Sequence, residues 1–439
     1  MGPGAGAPRH TSWHREAGHF MRLIARKRSR VAVGLALGLV LTVTAACGGD
    51  SKDSDEASTG QNTATGTPIK VGFFSPEGGV NTLPGAVAGM KAGVSYVNTE
   101  LGGVDGHPLE VVSCPIDGTP EKTISCANKF VQDKVVAAFD GFNYSSSAGV
   151  DILVDAKIPL VGQIAFDQIT GSKADGRVFF GAPQASFLVG ALQGFKAQGM
   201  TAVTMTLVDT PSGHNTVDNQ LKPLATALGL KAEGVYFSAT NPNFSALAST
   251  IVSTKPDVAG LVASPNESVC TQLVRNLRSL GYKGGVFLAA CTGFIDAAPK
   301  DAPGAMMYAP GWLPGSEKYA PAEAGKQLET AAKEIKAAGG SKDFFAYGQF
   351  ATVVDFATGL ATAPSADGLT GEGVLTTLKG LKDFPTFLGS PATCGKPTSP
   401  NCTTQMLLFS VQDDLTLKPV GDTWIVPSPQ ILSAIPGAS

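Results

Sequence analysis

From Ile69 onward, short apolar runs alternate with stretches whose apolar residues recur at helical spacing. This is the βαβ pattern of a parallel sheet covered on both faces. The runs "IKVGFF", "PLEVVSC", "VVAAFDG" and "IPLVGQ" predict strands. Between them "LPGAVAGMKAGVSYVNTE", "EKTISCANKFVQDK" and "SSAGVDILVDAK" predict helices. After the helix "FLVGALQGFKAQG" the alternation restarts, with strands at "AVTMTLVD", "KAEGVYF", "VAGLVAS" and "GVFLAAC". Helices at "VDNQLKPLATALG", "FSALASTIVSTK" and "VCTQLVRNLRSLG" separate them. Two further helices follow, "PAEAGKQLETAAKEIKAAG" and "FFAYGQFATVVDFATGLA", and then a strand-rich segment holding "MLLFSVQ" and "WIVPS". The fold class is therefore α/β, with two similar parallel-sheet lobes joined by a multi-strand hinge. The pattern assigns residues 68–184 and 312–388 to the N-terminal lobe, 185–311 and 389–427 to the C-terminal lobe, and 428–439 to a tail. Repeated crossing between lobes suits hinge closure around a ligand.

Ahead of this region the pattern changes. Residues 31–46 are apolar for sixteen positions, short of the roughly 20 that a bilayer-spanning helix needs. Arg22, Arg26, Lys27, Arg28 and Arg30 precede the run, as the basic segment of an export signal does. It closes on Thr44, Ala45, Ala46 and Cys47. That ending resembles a bacterial lipobox, with Thr44 where leucine is usual, and the resemblance implies lipidation of Cys47 and removal of residues 1–46. Residues 1–20 add nothing to such a signal, and Met21 is an alternative start. Residues 47–67 hold no large apolar side chain and predict a disordered tether. The expected location is the outer face of the bacterial cytoplasmic membrane, in the cell envelope.

Charge and cysteine content narrow the class. Without residues 1–46 the chain carries 26 Lys+Arg against 35 Asp+Glu, a net charge of −9. A nucleic-acid partner is not expected, because phosphate binding needs a basic face. Cys47 aside, an even six cysteines remain in an exported chain. Pairs in sequence order, Cys114 with Cys126, Cys270 with Cys291 and Cys394 with Cys402, are the simplest connectivity. Each closes a loop of about 8 to 21 residues, worth roughly 2–3 kcal/mol. Metal ligation is not expected, since there is no CxxC and His107 and His214 are the only histidines past residue 46.

Several segments in order resemble the type I periplasmic binding proteins of the leucine/isoleucine/valine-binding class, which serve ABC importers. They are "GGVDGHPLEVV", "CANKFVQDKVVAAFDGFNYSSSAG", "NFSALASTIVSTKPDVAGLV", "LVRNLRSLGYKGGVFL" and "AYGQFATVVDFATGLA". The resemblance implies a cleft closing on a small solute, an importer permease as partner, a monomer and no cofactor. It implies that Ser145, in "GFNYSSSAG", holds a ligand carboxylate with Ser146 beside it, although both serines also suit helix N-capping. Ala165 and Phe166 of "GQIAFDQIT" take the places of a second ligand segment. Ser75 and Glu77 follow the first strand, Glu77 reading as a solvated charge, while Asn266 and Thr292 end strands of the second lobe. Where amino-acid binders of the class carry an acid for the ligand ammonium, this chain has Cys291 and Thr292, which moves specificity away from a standard α-amino acid. Asp167 and Glu267 are substitutes that the sequence does not place in the cleft. "DTPSGHN" likewise replaces a loop that usually carries a tyrosine and a glycine.

No catalytic residue is expected, because neither histidine stands in a nucleophile-elbow or H-E-x-x-H setting. The leading function is a lipid-anchored receptor that delivers a small polar or amphipathic solute, a branched-chain amino acid or related compound, to an ABC importer. A ligand sensor of the same fold, coupled to a membrane signalling partner, is the alternative.

Overall fold

The structure is a computed structural model and describes residues 64–79, 81–238, 241–262, 267–421 and 424–433. The expected export signal, Cys47, residues 48–63 of the expected tether and Asn266 lie outside the described residues.

Six strands form the first sheet: β1 (Ile69–Gly78), β2 (Asn81–Thr82), β3 (Leu109–Ile116), β4 (Ala137–Phe139), β5 (Leu160–Gly162) and β6 (Arg177–Phe179). Its parallel order is β3-β1-β4-β5-β6, and β2 folds back antiparallel on β1 with Glu77 opposite Thr82. The second sheet holds β7 (Ala202–Val208), β8 (Lys231–Phe237), β9 (Val258–Leu261), β10 (Gly285–Leu288), β11 (Ala305–Ala309), β12 (Leu407–Val411) and β13 (Leu417–Pro419). Its order is β8-β7-β9-β10-β11-β12-β13, parallel up to β11 and antiparallel beyond. The interior strands β4, β5 and β9 are buried at every position and read as unbroken apolar runs, as strands covered on both faces must. The edge strands β3 and β8 mix buried and exposed positions.

Two helices decide how the late part of the chain returns to the first sheet. Helix Pro84–Thr99 carries Gly85, Gly89 and Gly93 on one face. A Cβ on Gly89 would lie 2.2 Å from the Ala346 carbonyl oxygen, and one on Gly93 2.8 Å from Val353 Cβ. The stripe of missing side chains lets helix Phe344–Leu360 approach backbone to backbone. That helix is buried along almost its whole length, and Phe356 meets Phe139 of β4 edge-on at 5.0 Å.

All three disulfides expected from chain order are formed: Cys114–Cys126, Cys270–Cys291 and Cys394–Cys402.

Several boundaries differ from the sequence reading. β1 runs on to Gly78, so Ser75 lies inside a strand, opposite Pro115 of β3. The helix expected from Val217 begins at Pro211, where Thr210 Oγ1 accepts the Gly213 amide, and continues through a π-helical turn at Val217–Leu221. "WIVPS" contributes one bridge, Ile425 to Met406, because Pro427 and Pro429 have no N–H to extend it. Pro429–Ser433 of the expected tail is a helix with Leu432 buried. Part of 389–427, expected with the second sheet, packs on the first: Ala392, Cys394 and Cys402 join its core, and Asn401 bridges Phe179 of β6. The short disulfide loop is drawn there because β6 is otherwise an open edge, and the Phe179 amide donates to the Pro400 carbonyl at 2.9 Å.

Candidate functional site

In parallel α/β sheets, ligands bind beyond the carboxyl ends of the strands, and here such ends from both sheets enclose a cavity of about 850 Å³. On the side of the first sheet it is walled by Thr82 of β2, by Pro84 and Gly85, and by Tyr144 and Phe166 from the loops after β4 and β5. Asp343 and Phe345, at the start of helix Phe344–Leu360, complete that wall. Opposite stand Glu267 of helix Glu267–Ser279, Ala290, Cys291 and Gly293 after β10, and Tyr308 of β11.

Local chemistry delivers these side chains. After β4 the chain passes through two left-handed residues, Gly141 (φ 63°) and Phe142 (φ 56°). A Cβ at Gly141 would sit 2.0 Å from the Phe74 carbonyl oxygen, so only glycine fits. Buried Asn81 holds the turn, donating to the Phe142 carbonyl at 3.3 Å and accepting the Tyr144 amide at 3.1 Å. Tyr144 then stacks on Phe166 at 5.7 Å, and Phe166 meets Phe345 at 5.9 Å, which makes an aromatic wall. Across the cavity Tyr308 stacks on Phe187 at 4.6 Å. The hydroxyls of Tyr144 and Tyr308 have no hydrogen-bond partner among the described residues, and desolvation pushes the Tyr308 phenol up to about 12.

The charges are unbalanced. Glu267, Asp296 and Asp343 line the cavity against Lys342. Asp343 caps helix Phe344–Leu360, its Oδ1 accepting the Phe345 and Ala346 amides at 3.0 Å each, and Ser341 donates to its Oδ2. Glu267 accepts the Thr292 amide at 3.2 Å. Desolvation raises the pKa of both carboxyls above the usual range, and the negative charge of Asp343 adds to the rise at Glu267.

The residues expected from sequence are distributed more widely. Phe166 lines the main cavity. Ser145 borders a separate, shallower cavity of about 390 Å³ beyond Tyr144 and Phe166, and its hydroxyl donates to the Gly118 carbonyl at 2.6 Å. Ser146 is buried and donates to the Asn143 carbonyl at 3.3 Å and to Thr170 Oγ1 at 3.1 Å. The Ser147 amide, at the start of helix Ser147–Asp155, donates to Asp167 Oδ2 at 2.8 Å. Ala165 is buried in the core under the first sheet. Ser75 is buried and bonds Glu77 at 2.5 Å, while Glu77 itself is exposed. Thr292 is buried beside the cavity and meets Glu267 through its amide. Of the two possible substitute acids, Glu267 borders the main cavity and Asp167 the smaller one. Tyr144, Tyr308, Asp343 and Phe345 were not singled out by sequence. Asp343 alone had a local signal, as the N-cap position before "FFAYGQF".

A family model described as periplasmic binding protein matches residues 68–414. No curated protein sequence matches the chain. Among solved structures, the leucine-binding protein LivK of Thermotoga maritima has a TM-score of 0.65 at 15% identity, covering 82% of this chain and 99% of that one. The branched-chain amino acid transporter substrate-binding protein LivJ of Streptococcus pneumoniae, in complex with isoleucine, has a TM-score of 0.60 at 17% identity, over 80% and 100%. A fatty acid ABC transporter substrate-binding protein of Thermomonospora curvata has a TM-score of 0.67 at 15% identity, over 86% and 98%. At these identities the likeness is one of fold.

Proposed function

The chain belongs to the periplasmic binding protein family, and from that premise we propose that it is a lipid-anchored solute receptor that delivers a small polar or amphipathic molecule to an ABC importer. Membership implies an extracytoplasmic location and a small-molecule ligand. One observation carries the reading for this chain: a cavity of about 850 Å³ whose walls come from strand ends of both sheets, within the range of small-molecule sites. A solute touching both walls favours the arrangement that brings them together, by its differential affinity for that state.

Family and fold are those of binding proteins. His107 is engaged by the Thr67 carbonyl at 2.8 Å and by Asp367 at 3.2 Å. His214 stacks on Tyr236 and meets Asp209 at 2.9 Å. Neither histidine borders the cavity, so neither supplies a base there. Isoleucine, bound by one structural neighbour, and a fatty acid, the solute of another, have apolar bodies, and the wall of Tyr144, Phe166 and Phe345 suits an apolar body here.

The test is mass spectrometry of small molecules released from gently purified protein, followed by titration of the recovered compound. A stoichiometric solute that rebinds supports the receptor. Protein that carries none, and that shows no binding to any solute of a screened library, removes it. The anchor is tested separately. Cys47→Ala is expected to abolish lipid labelling and release the protein from membranes, and unchanged retention would refute the anchor.

A further inference from the structure

The donors that could hold a solute carboxylate beside the cleft are bonded within the protein. The Ser147 amide is met by Asp167 Oδ2, and the Ile169 and Thr170 amides by Asp167 Oδ1 at 2.9 and 3.3 Å. The Ser145 amide goes to Asn143 Oδ1 at 2.9 Å, and the Ser145 hydroxyl to the Gly118 carbonyl. A carboxylate of the chain itself thus sits at the helix start, and its charge opposes a second one arriving there.

The main cavity points the same way by independent means. Three carboxylates, Glu267, Asp296 and Asp343, border it against one cation, Lys342; Asp343 is half-buried, and the other three are exposed. The rings of Tyr144, Phe166, Phe345 and Tyr308 border the same space, and ring faces carry the negative end of the aromatic quadrupole. Carboxylates and ring faces together favour a positive charge on an apolar body. The two unpartnered phenol hydroxyls can accept from an ammonium N–H.

We propose that the solute is a cationic amphipath: an apolar or aromatic body bearing an ammonium group and no carboxylate, its body against Tyr144, Phe166 and Phe345 and its charge toward Asp343 and Glu267. This inference rests on the receptor reading and specifies its ligand.

Calorimetric titration of the purified protein with four matched probes tests it: 2-phenylethylammonium, neutral 2-phenylethanol, phenylacetate and zwitterionic phenylalanine. The ammonium probe is expected to bind at least tenfold more tightly than each of the others. Asp343→Asn, which keeps a capping side chain at that helix start, is expected to weaken the ammonium probe about tenfold and leave 2-phenylethanol unchanged. Glu267→Gln serves as the second variant should Asp343→Asn fail to fold. The proposal is overturned if phenylacetate or phenylalanine binds as well as the ammonium probe, if charge makes no difference, or if none of the four binds. A recovered native solute that carries a carboxylate and rebinds would leave the receptor standing and remove the cation. The absence of any rebinding solute would remove both.

Discussion

Asp140 stands at the carboxyl end of β4, 1% exposed, with Oδ1 unpartnered among the described residues and Oδ2 accepting only the Asn143 amide, at 3.3 Å, from the backbone. Desolvation, with a further push from Asp167, raises its carboxyl to about 8. A carboxyl whose folded pKa lies above its unfolded value favours the folded state while protonated. Its contribution is full below about pH 4 and is lost as pH rises to about 8, a swing on the order of 5 kcal/mol. Asp140→Asn is therefore expected to flatten the fall in stability over that window, and urea unfolding at pH 5 and pH 8 checks it; an unchanged slope refutes the assignment. Ser145 poses a different question, because its hydroxyl is spent on the Gly118 carbonyl. Ser145→Ala should cost about 1 kcal/mol of stability, the net worth of one hydrogen bond, and leave solute affinity within about twofold by calorimetry, since a tenfold loss is what a hydrogen bond to the solute would produce. Affinity lost with stability intact would assign the hydroxyl to the solute.

At the scale of elements, the contact between helices Pro84–Thr99 and Phe344–Leu360 ties the core to the cleft. Alanine is intrinsically better than glycine in a helix by about 1 kcal/mol, so propensity alone predicts that Gly89→Ala stabilises. The Ala346 carbonyl oxygen, 2.2 Å from the added Cβ, reverses that sign, because backbone inside a buried helix cannot step aside. A net loss of about 1–3 kcal/mol is expected. Phe345 and Asp343 lie just ahead of Ala346, so weaker solute binding should accompany the loss. Denaturation and titration of the same variant measure both; unchanged stability would mean that the helices can separate at no cost. On the opposite wall, the Cys270–Cys291 disulfide ties helix Glu267–Ser279 to the loop after β10, which holds Glu267 against the Thr292 amide.

For the whole molecule, the cleft is bounded by two sheets between which the chain crosses after β6, after β11 and again just ahead of β12. The Trp312 amide donates to the Leu388 carbonyl at 2.8 Å, and Gly311 bridges Gly389. Connections confined to these segments allow one sheet to rotate against the other while both stay intact. Solution scattering is expected to show a smaller radius of gyration on saturation with the recovered solute, and an unchanged radius at saturation would rule out closure.

The α/β class, most strands and helices, and the three disulfides were determined by sequence alone, and each is a short-range matter. Apolar periodicity records which face of its own element a residue buries, and paired cysteines 8 to 21 positions apart have few other partners within reach. Short β6 and β11 escaped notice because three to five residues carry too little period to stand out. What fills the cleft was decided only by tertiary structure. Tyr144, Glu267, Tyr308 and Asp343 come from four separate elements and meet because the sheets and the glycine-striped helix pair set their distances. "SSS" shows three hydroxyls and a helix start, but whether those donors face a solute depends on where Asp167 lies, twenty residues on. The pattern along a chain specifies what each residue offers, and packing between elements specifies to whom.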